Sequence, residues 1–246
     1  MDAYQQLIAT IALMMGTAWA AGINLYATIG VLGFLGITGN IVLPEQLHVL
    51  QNPLVIGAAA LMYVVEFFAD KTPGVDTGWD TIHTFIRIPA GVMLAAGAVG
   101  EVNPAIVIVA GILGGTISAT SHSLKAGSRI LINTSPEPFS NWTASILEDV
   151  AVVVGLWTAL HHPAAFIGLF VLFILLAIWL LPKIWHGIKD LFIRLKKCRL
   201  LQKWSFRPNS ALCLKFYPRN INYMPAVKFF ACLDFERKSS FCKRLN

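Results

Sequence analysis

Ten ionisable residues stand where apolar segments meet polar ones: Glu66, Asp70, Asp76, Asp80, His83, Arg87, Lys125, Arg129, Glu148 and Asp149. Glu66 and Asp70 are four residues apart at the end of an apolar run, one turn beyond Tyr63. Trp79, His83 and Arg87 repeat at i, i+4, i+8, which is one face of a helix that starts by residue 79. Ser118, Ser121, His122 and Lys125 share a second face, and Ser145, Glu148 and Asp149 a third. Carboxylates set this way can bind or relay a cation or proton. Lys125 and Arg129 can receive an anionic group. His83 and His122 can pass a proton. Ionisable groups inside an apolar span are costly and mark functional sites or the partners that neutralise them.

Pairing is the competing explanation. Glu66 or Asp70 can meet Lys71 or Arg87, and Glu148 or Asp149 can meet Lys125 or Arg129, so that charge only locks helices together. Pairing does not exhaust the set, because the acids at 66, 70, 76, 80, 137, 148 and 149 outnumber the bases at 71, 87, 125 and 129 by three. The surplus calls for solvation, protonation or a bound cation, and points to a water-accessible cavity. The stretch 125–142, with Ser128, Ser135, two prolines and an Asn-Thr-Ser-Pro turn, reads as a rigid polar loop. No P-loop, GxSxG, SxxK, kinase or HExxH pattern occurs. No cofactor, no metal site and no catalytic residue follows from the sequence. The Asn141-Trp142-Thr143 sequon is a pattern only.

The elements that must position these residues are membrane helices. Of 246 residues, 56% are hydrophobic and 13% charged, and a soluble domain carries roughly 25% charged residues. Apolar segments at 5–36, 54–69, 82–99, 104–120, 142–160 and 163–182 predict an all-α integral membrane bundle of about six transmembrane segments. Segment 5–36 is too long for one simple span and is interrupted at Gly22 and Asn24. It reads either as a broken helix or as a long tilted one with Gly22 against a neighbour, and if it crosses twice the count is seven. The stretches opening at Asn52-Pro53 and Asn103-Pro104 resemble each other as two parallel hairpins.

Charge is divided sharply. Residues 1–182 carry a formal −6 and residues 183–246 a formal +12. All four core basic residues fall in or beside the loops 70–81 and 121–141, which together with the tail predicts a cytoplasmic C-terminus. Residues 183–204 place apolar side chains on one helical face and Lys/Arg on the other, as in a helix lying on anionic lipid or a cytosolic extension of the last span. Because this basic block follows an apolar span directly, it suits a lipid surface and not a nucleic acid. The four cysteines all lie in the tail without metal-ligand spacing and read as free thiols. From about 205 the tail has no sustained period and predicts little stable structure.

The blocks Glu66-Phe-Phe-Ala-Asp70-Lys71-Thr-Pro73-Gly-Val-Asp76, Trp79-Asp80-Thr-Ile-His83-Thr-Phe-Ile-Arg87, Lys125-Ala-Gly-Ser-Arg129, Asn133-Thr-Ser-Pro-Glu-Pro138, Asn141-Trp142 and Glu148-Asp149 resemble the bacterial membrane-protein family catalogued as domain of unknown function 4126. The resemblance covers roughly 5–200 and implies a multi-span inner-membrane protein; it implies no reaction. The leading expectation is a small transporter or channel-like protein with an acid-rich site toward the cytoplasmic side. Its ligand, a small solute or ion, is not legible, and neither is its oligomeric state. An intramembrane enzyme acting on a lipid head group is the second class, against which the missing nucleophile and metal motifs count. A structural or assembly protein is the third.

Overall fold

The computed structural model describes residues 3–72, 74–134 and 138–205. Glu137 and the tail from 206 lie outside the described residues. Seven α-helices form: α1 (Ala3–Ile23), α2 (Leu25–Ile37), α3 (Pro53–Ala69), α4 (Val75–Ala98), α5 (Pro104–Ile132), α6 (Pro138–His161) and α7 (Pro163–Ser205). A 3-10 turn, Glu45–Gln51, precedes α3, and no strand occurs among the described residues. Proline opens α3, α5, α6 and α7, at the position where a missing N–H leaves no bond unmade. The described residues divide into two units, the first ending at Ile184 and the second beginning at Trp185. All packing described below belongs to the first.

Five helices are long and apolar enough to cross a membrane: α1, α4, α5, α6 from Phe139, and α7 over Pro163–Ile193. A sixth span exists if the 3-10 turn and α3, bent by 65° at Asn52, count as one. The all-α membrane bundle is therefore as expected, with at most six spans among the described residues. A seventh would need α2 to cross alone. Its 13 residues extend only about 20 Å, short of a hydrocarbon core of about 30 Å.

The first segment is broken, and Asn24 breaks it. Asn24 takes an extended backbone (φ −144°, ψ 100°), and its side-chain oxygen accepts the Ala27 amide at 2.9 Å. In an unbroken helix that amide would bond the Ile23 carbonyl. The Asn24 side chain thus caps α2 and releases the Ile23 oxygen to other donors. The single tilted helix is therefore excluded, although the contact that reading gave Gly22 is present. A Cβ there would overlap Ser121 Oγ and the Ser118 carbonyl oxygen of α5.

α1 is the central element, packed against α4, α5 and α6. Its Ala12, Ala18, Ala20, Ala21 and Thr17 are fully buried. Small side chains let neighbouring backbones approach closely, which is how membrane helices associate without a hydrophobic driving force between them. α4 and α5 form the most extensive pair, and at Gly114 there is no room for a side chain beside Ala95 and the Gly91 carbonyl. α6 covers α1 with Val152 and Leu156. α7 docks on α1 through Phe166 and Phe170 beside Ala12 and Trp19. Large apolar side chains such as Leu54, Phe85, Met93 and Ile178 face outward.

Three expectations are revised. The third segment becomes helical at Val75, well before 82, because Asp76 anchors its first turn. The rigid loop over 125–142 is mostly helix: α5 continues to Ile132 and α6 begins at Pro138. Polar residues 125–129 face other helices instead of water, so their polarity does not end the helix, and turn chemistry starts only at Asn133. The two hairpins share their Asn caps, with Asn52 and Asn103 each accepting the amide two residues on at 2.9 Å. Neither closes on itself, however: α3 meets α4, and α5 meets α6, only sparsely. Residues 183–204 continue α7 without interruption.

Candidate functional site

Seven of the ten candidate residues form one salt-bridge network. From α3 come Glu66 and, at its C-cap, Asp70; from α4, Asp80 and Arg87; from α5, Lys125 and Arg129; from α6, Glu148. All but Glu148 are buried, at 0–4% exposure, and the Glu148 side chain is 19% exposed.

Arg87 stands between two acids. Its Nη2 donates to Glu66 Oε1 and its Nη1 to Asp80 Oδ1 at 3.1 Å. Nη1 also donates to His122 Nδ1 at 3.2 Å. Thr84 Oγ1 donates to the Asp80 carbonyl, so its contact with His122 Nε2 at 2.7 Å uses the hydroxyl as acceptor. These partners fix His122 as the tautomer with hydrogen on Nε2. Helical spacing placed His83 and Arg87 on one face. The missed partners were Asp80, seven residues from Arg87 on the same helix, and His122 on another.

Lys125 reaches three oxygens from two other helices: Asp70 Oδ2 at 2.8 Å, the Ile23 carbonyl at 3.0 Å and Glu66 Oε1 at 3.2 Å. Glu148 Oε2 and Asp80 Oδ1 follow at 3.8 and 4.0 Å. The carbonyl released by Asn24 is therefore a ligand of the lysine. Arg129 grips Glu148 through Nη2–Oε2 at 2.5 Å and Nε–Oε1 at 3.4 Å. Its Nη1 donates to the Asp70 carbonyl and to Asn141 Oδ1. Lys125 and Arg129 are thus engaged by protein acceptors.

Three candidates stand beside the network. Asp149 accepts from Asn24 Nδ2 at 3.0 Å and lies against Tyr63. Asp76 accepts from the Gly74 and Thr77 amides and from Asn133 Nδ2, so it caps α4 and ties it to the end of α5. His83 Nδ1 donates to the Trp79 carbonyl at 2.9 Å, leaving Nε2 for the Tyr26 hydroxyl at 3.0 Å, while the Trp79 ring stacks on the imidazole at 4.3 Å. Among the described residues Lys71 joins no salt bridge. Its ammonium lies over the Phe67 ring, and burial holds its pKa below the ordinary lysine value, against the opposing pull of Asp149 and Asp70.

Carboxylates outnumber cations in the network, four to three. Among the described residues, three buried carboxylate oxygens, Glu66 Oε2, Asp70 Oδ1 and Asp80 Oδ2, receive no hydrogen bond, and Arg87 Nε gives none. Among the described residues no group of three or more His, Cys, Asp or Glu is arranged to hold a metal ion. A cleft of about 530 Å³, lined by Gln46, Met93, Gly97 and Glu101, lies at the opposite end of α4 from this chemistry.

A helical bundle with several membrane-spanning helices around a buried, acid-rich ion network defines a multi-pass membrane protein. More particularly, the chain belongs to the family described as "Domain of unknown function (DUF4126)", whose model matches residues 11–183. That match takes in every residue of the network. Neither the curated proteins nor the solved structures contain a match.

Proposed function

We propose that this protein is a small transporter or channel-like protein, and that Glu66, Asp70 and Asp80 bind or relay a proton or monovalent cation. The observation that carries the reading is the charge imbalance: four carboxylates against three cations, with three buried carboxylate oxygens that have no donor among the described residues. A site built only to lock helices would pair its charges in equal number. The break at Asn24 supports the same reading. Discontinuous helices in transporters turn the carbonyls at the end of a half-helix toward a cation, and Ile23 O is such a group. In this reading Arg87 and Arg129 hold the carboxylates in place, Glu148 and Asp149 form the partly open flank, and Asp76 and His83 fix the start of α4.

The membrane is taken to be the bacterial inner membrane with the C-terminus cytoplasmic. Arg87, Lys125 and Arg129 are neutralised by carboxylates, so orientation rests on Lys71 and the basic residues after 182. Lys183 lies 3.2 Å from the Trp179 ring and Lys189 5.1 Å from that of Trp185, the aromatic-and-cation pairing of a membrane interface. Residues 183–203 are accordingly read as an anchor on anionic lipid.

Flux through proteoliposomes tests the function. The wild type is expected to move protons or a monovalent cation, and Glu66→Gln or Asp70→Asn to reduce that flux by at least about tenfold, roughly 1.4 kcal/mol. Movement of no ion or solute, or equal flux in the variants, refutes the reading.

A further inference from the structure

The oxygens that surround Lys125 have the makings of an ion site. Three of them, from Ile23, Glu66 and Asp70, lie 2.8–3.2 Å from one nitrogen, and Glu148 and Asp80 stand behind at 3.8 and 4.0 Å. These are ammonium–oxygen distances. Magnesium needs oxygens at about 2.0–2.1 Å and calcium at about 2.3–2.6 Å, so the cage suits a larger monovalent ion. Its charge points the same way. Without the lysine, the salt bridges that remain to Glu66, Asp70, Asp80 and Glu148 among the described residues come from Arg87 and Arg129, a formal charge of −2 within the network. Of the other titratable neighbours, His122 is bonded to Arg87 and Thr84, Tyr26 to His83 and Asp149 to Asn24, while Tyr63 and Lys71 lie near Asp149 and Asp70.

A second observation is independent of the lysine. Glu66 Oε2, Asp70 Oδ1 and Asp80 Oδ2 are buried on the same carboxylates and receive no hydrogen bond. Small rotations of these groups would offer further oxygens to an ion too large for the present three. Lysine is a compact charge on a flexible four-carbon stem, able to withdraw as an arginine fork is not.

We infer that this cage is a binding site for a monovalent cation of ammonium or potassium size, and that Lys125 fills it from within the chain as a tethered competitor. The inference deepens the transport reading and rests on it only for movement of the ion, not for binding.

The test uses full-length protein in detergent, with thermal unfolding followed in choline, sodium, potassium, ammonium and methylammonium chlorides at about 150 mM, where screening is equal. Lys125→Ala is expected to unfold earlier than wild type in choline. It should recover roughly 4 °C or more in ammonium or potassium, as mass action on the folded state requires. The double variant Lys125→Ala with Glu66→Gln should lose that ion preference. An equal response to all salts, or an ion preference that survives Glu66→Gln, overturns the proposal. If Lys125→Ala yields no monodisperse protein, acylation of Lys125 in the wild type decides. Labelling read by mass spectrometry should rise severalfold in potassium or ammonium relative to choline, with Lys183 unchanged, and indifference to the ion overturns the proposal. An ion response without flux in proteoliposomes removes the transport reading and leaves the site; flux without an ion response does the reverse.

Discussion

Replacing Asn24 tests the link between the helix break and the ion network. The side chain is 1% exposed and does two things. Its oxygen caps α2 through the Ala27 amide, and its nitrogen donates to Asp149 at 3.0 Å. An N-cap is worth about 1 kcal/mol, and a hydrogen bond to a charged group about 1.5–3 kcal/mol. Asn24→Ala should therefore cost about 3 kcal/mol. It also frees the Ala27 amide to reclaim the Ile23 carbonyl, in competition with Lys125. For a chain of this size, that loss lowers the melting temperature by roughly 6–12 °C. Asn24→Ser keeps a capping oxygen but cannot donate as an amide does to Asp149, so it should recover only about 1 kcal/mol, or roughly 2–4 °C. Membrane proteins commonly unfold irreversibly, so the three proteins are compared at one scan rate and one detergent concentration. A melting temperature for Asn24→Ala within about 1 °C of wild type, or no advantage of Ser over Ala, would refute the claim that this side chain makes the break.

Two further outcomes follow from the packing. Arg87→Met leaves Glu66 and Asp80 facing each other across a buried site and should cost about 3–5 kcal/mol. Arg87→Lys should rescue little of it, because one ammonium cannot reproduce the fork that meets Glu66, Asp80 and His122 together; parallel melting curves check both. Gly22→Ala should reduce the yield of monodisperse protein sharply. Adding Ser121→Ala should not restore it, since the Ser118 backbone oxygen also occupies the space, and size-exclusion profiles of the single and double variants decide.

The sequence revealed the helices wherever the apolar run was bounded by Pro or by Asn-Pro, as at Asn52-Pro53 and Asn103-Pro104. It misplaced boundaries where polar residues point inward. At 125–129 the side chains are polar because they face other helices, and one strand of text cannot tell an inward polar face from a loop. Seven of the ten candidate residues do converge, since an ionisable residue beside an apolar span has few places to be except against an opposite charge. Which pairs form was less legible. Lys71 had been a partner for Glu66 or Asp70 on proximity in sequence, yet it lies over Phe67, while Lys125 bridges both acids from 55 and 59 residues away. Asn24 carried a signal, as an amide deep in an apolar segment. Its effect on the Ile23 carbonyl emerges only with the backbone in place.

Stability alone is a poor reason for such a network. Burying a charged group costs several kcal/mol even after relaxation, and exchanging a buried ion pair for apolar side chains of like volume is often neutral or stabilising. Here Arg87 and Glu66 are both wholly buried, and Lys125 nearly so. The sequence had an inexpensive alternative at hand, because the rest of α1, α4 and α5 associates through Ala, Gly and Ser. A network that served only to join helices would also saturate its acceptors, whereas three of its carboxylate oxygens accept nothing. All four network carboxylates come within 4.0 Å of Lys125, which also takes the backbone carbonyl that the Asn24 cap sets free. Charge surplus, unused acceptors and a helix break meet around a single ammonium, and that coincidence, more than the number of salt bridges, is what an account of this protein's function has to explain.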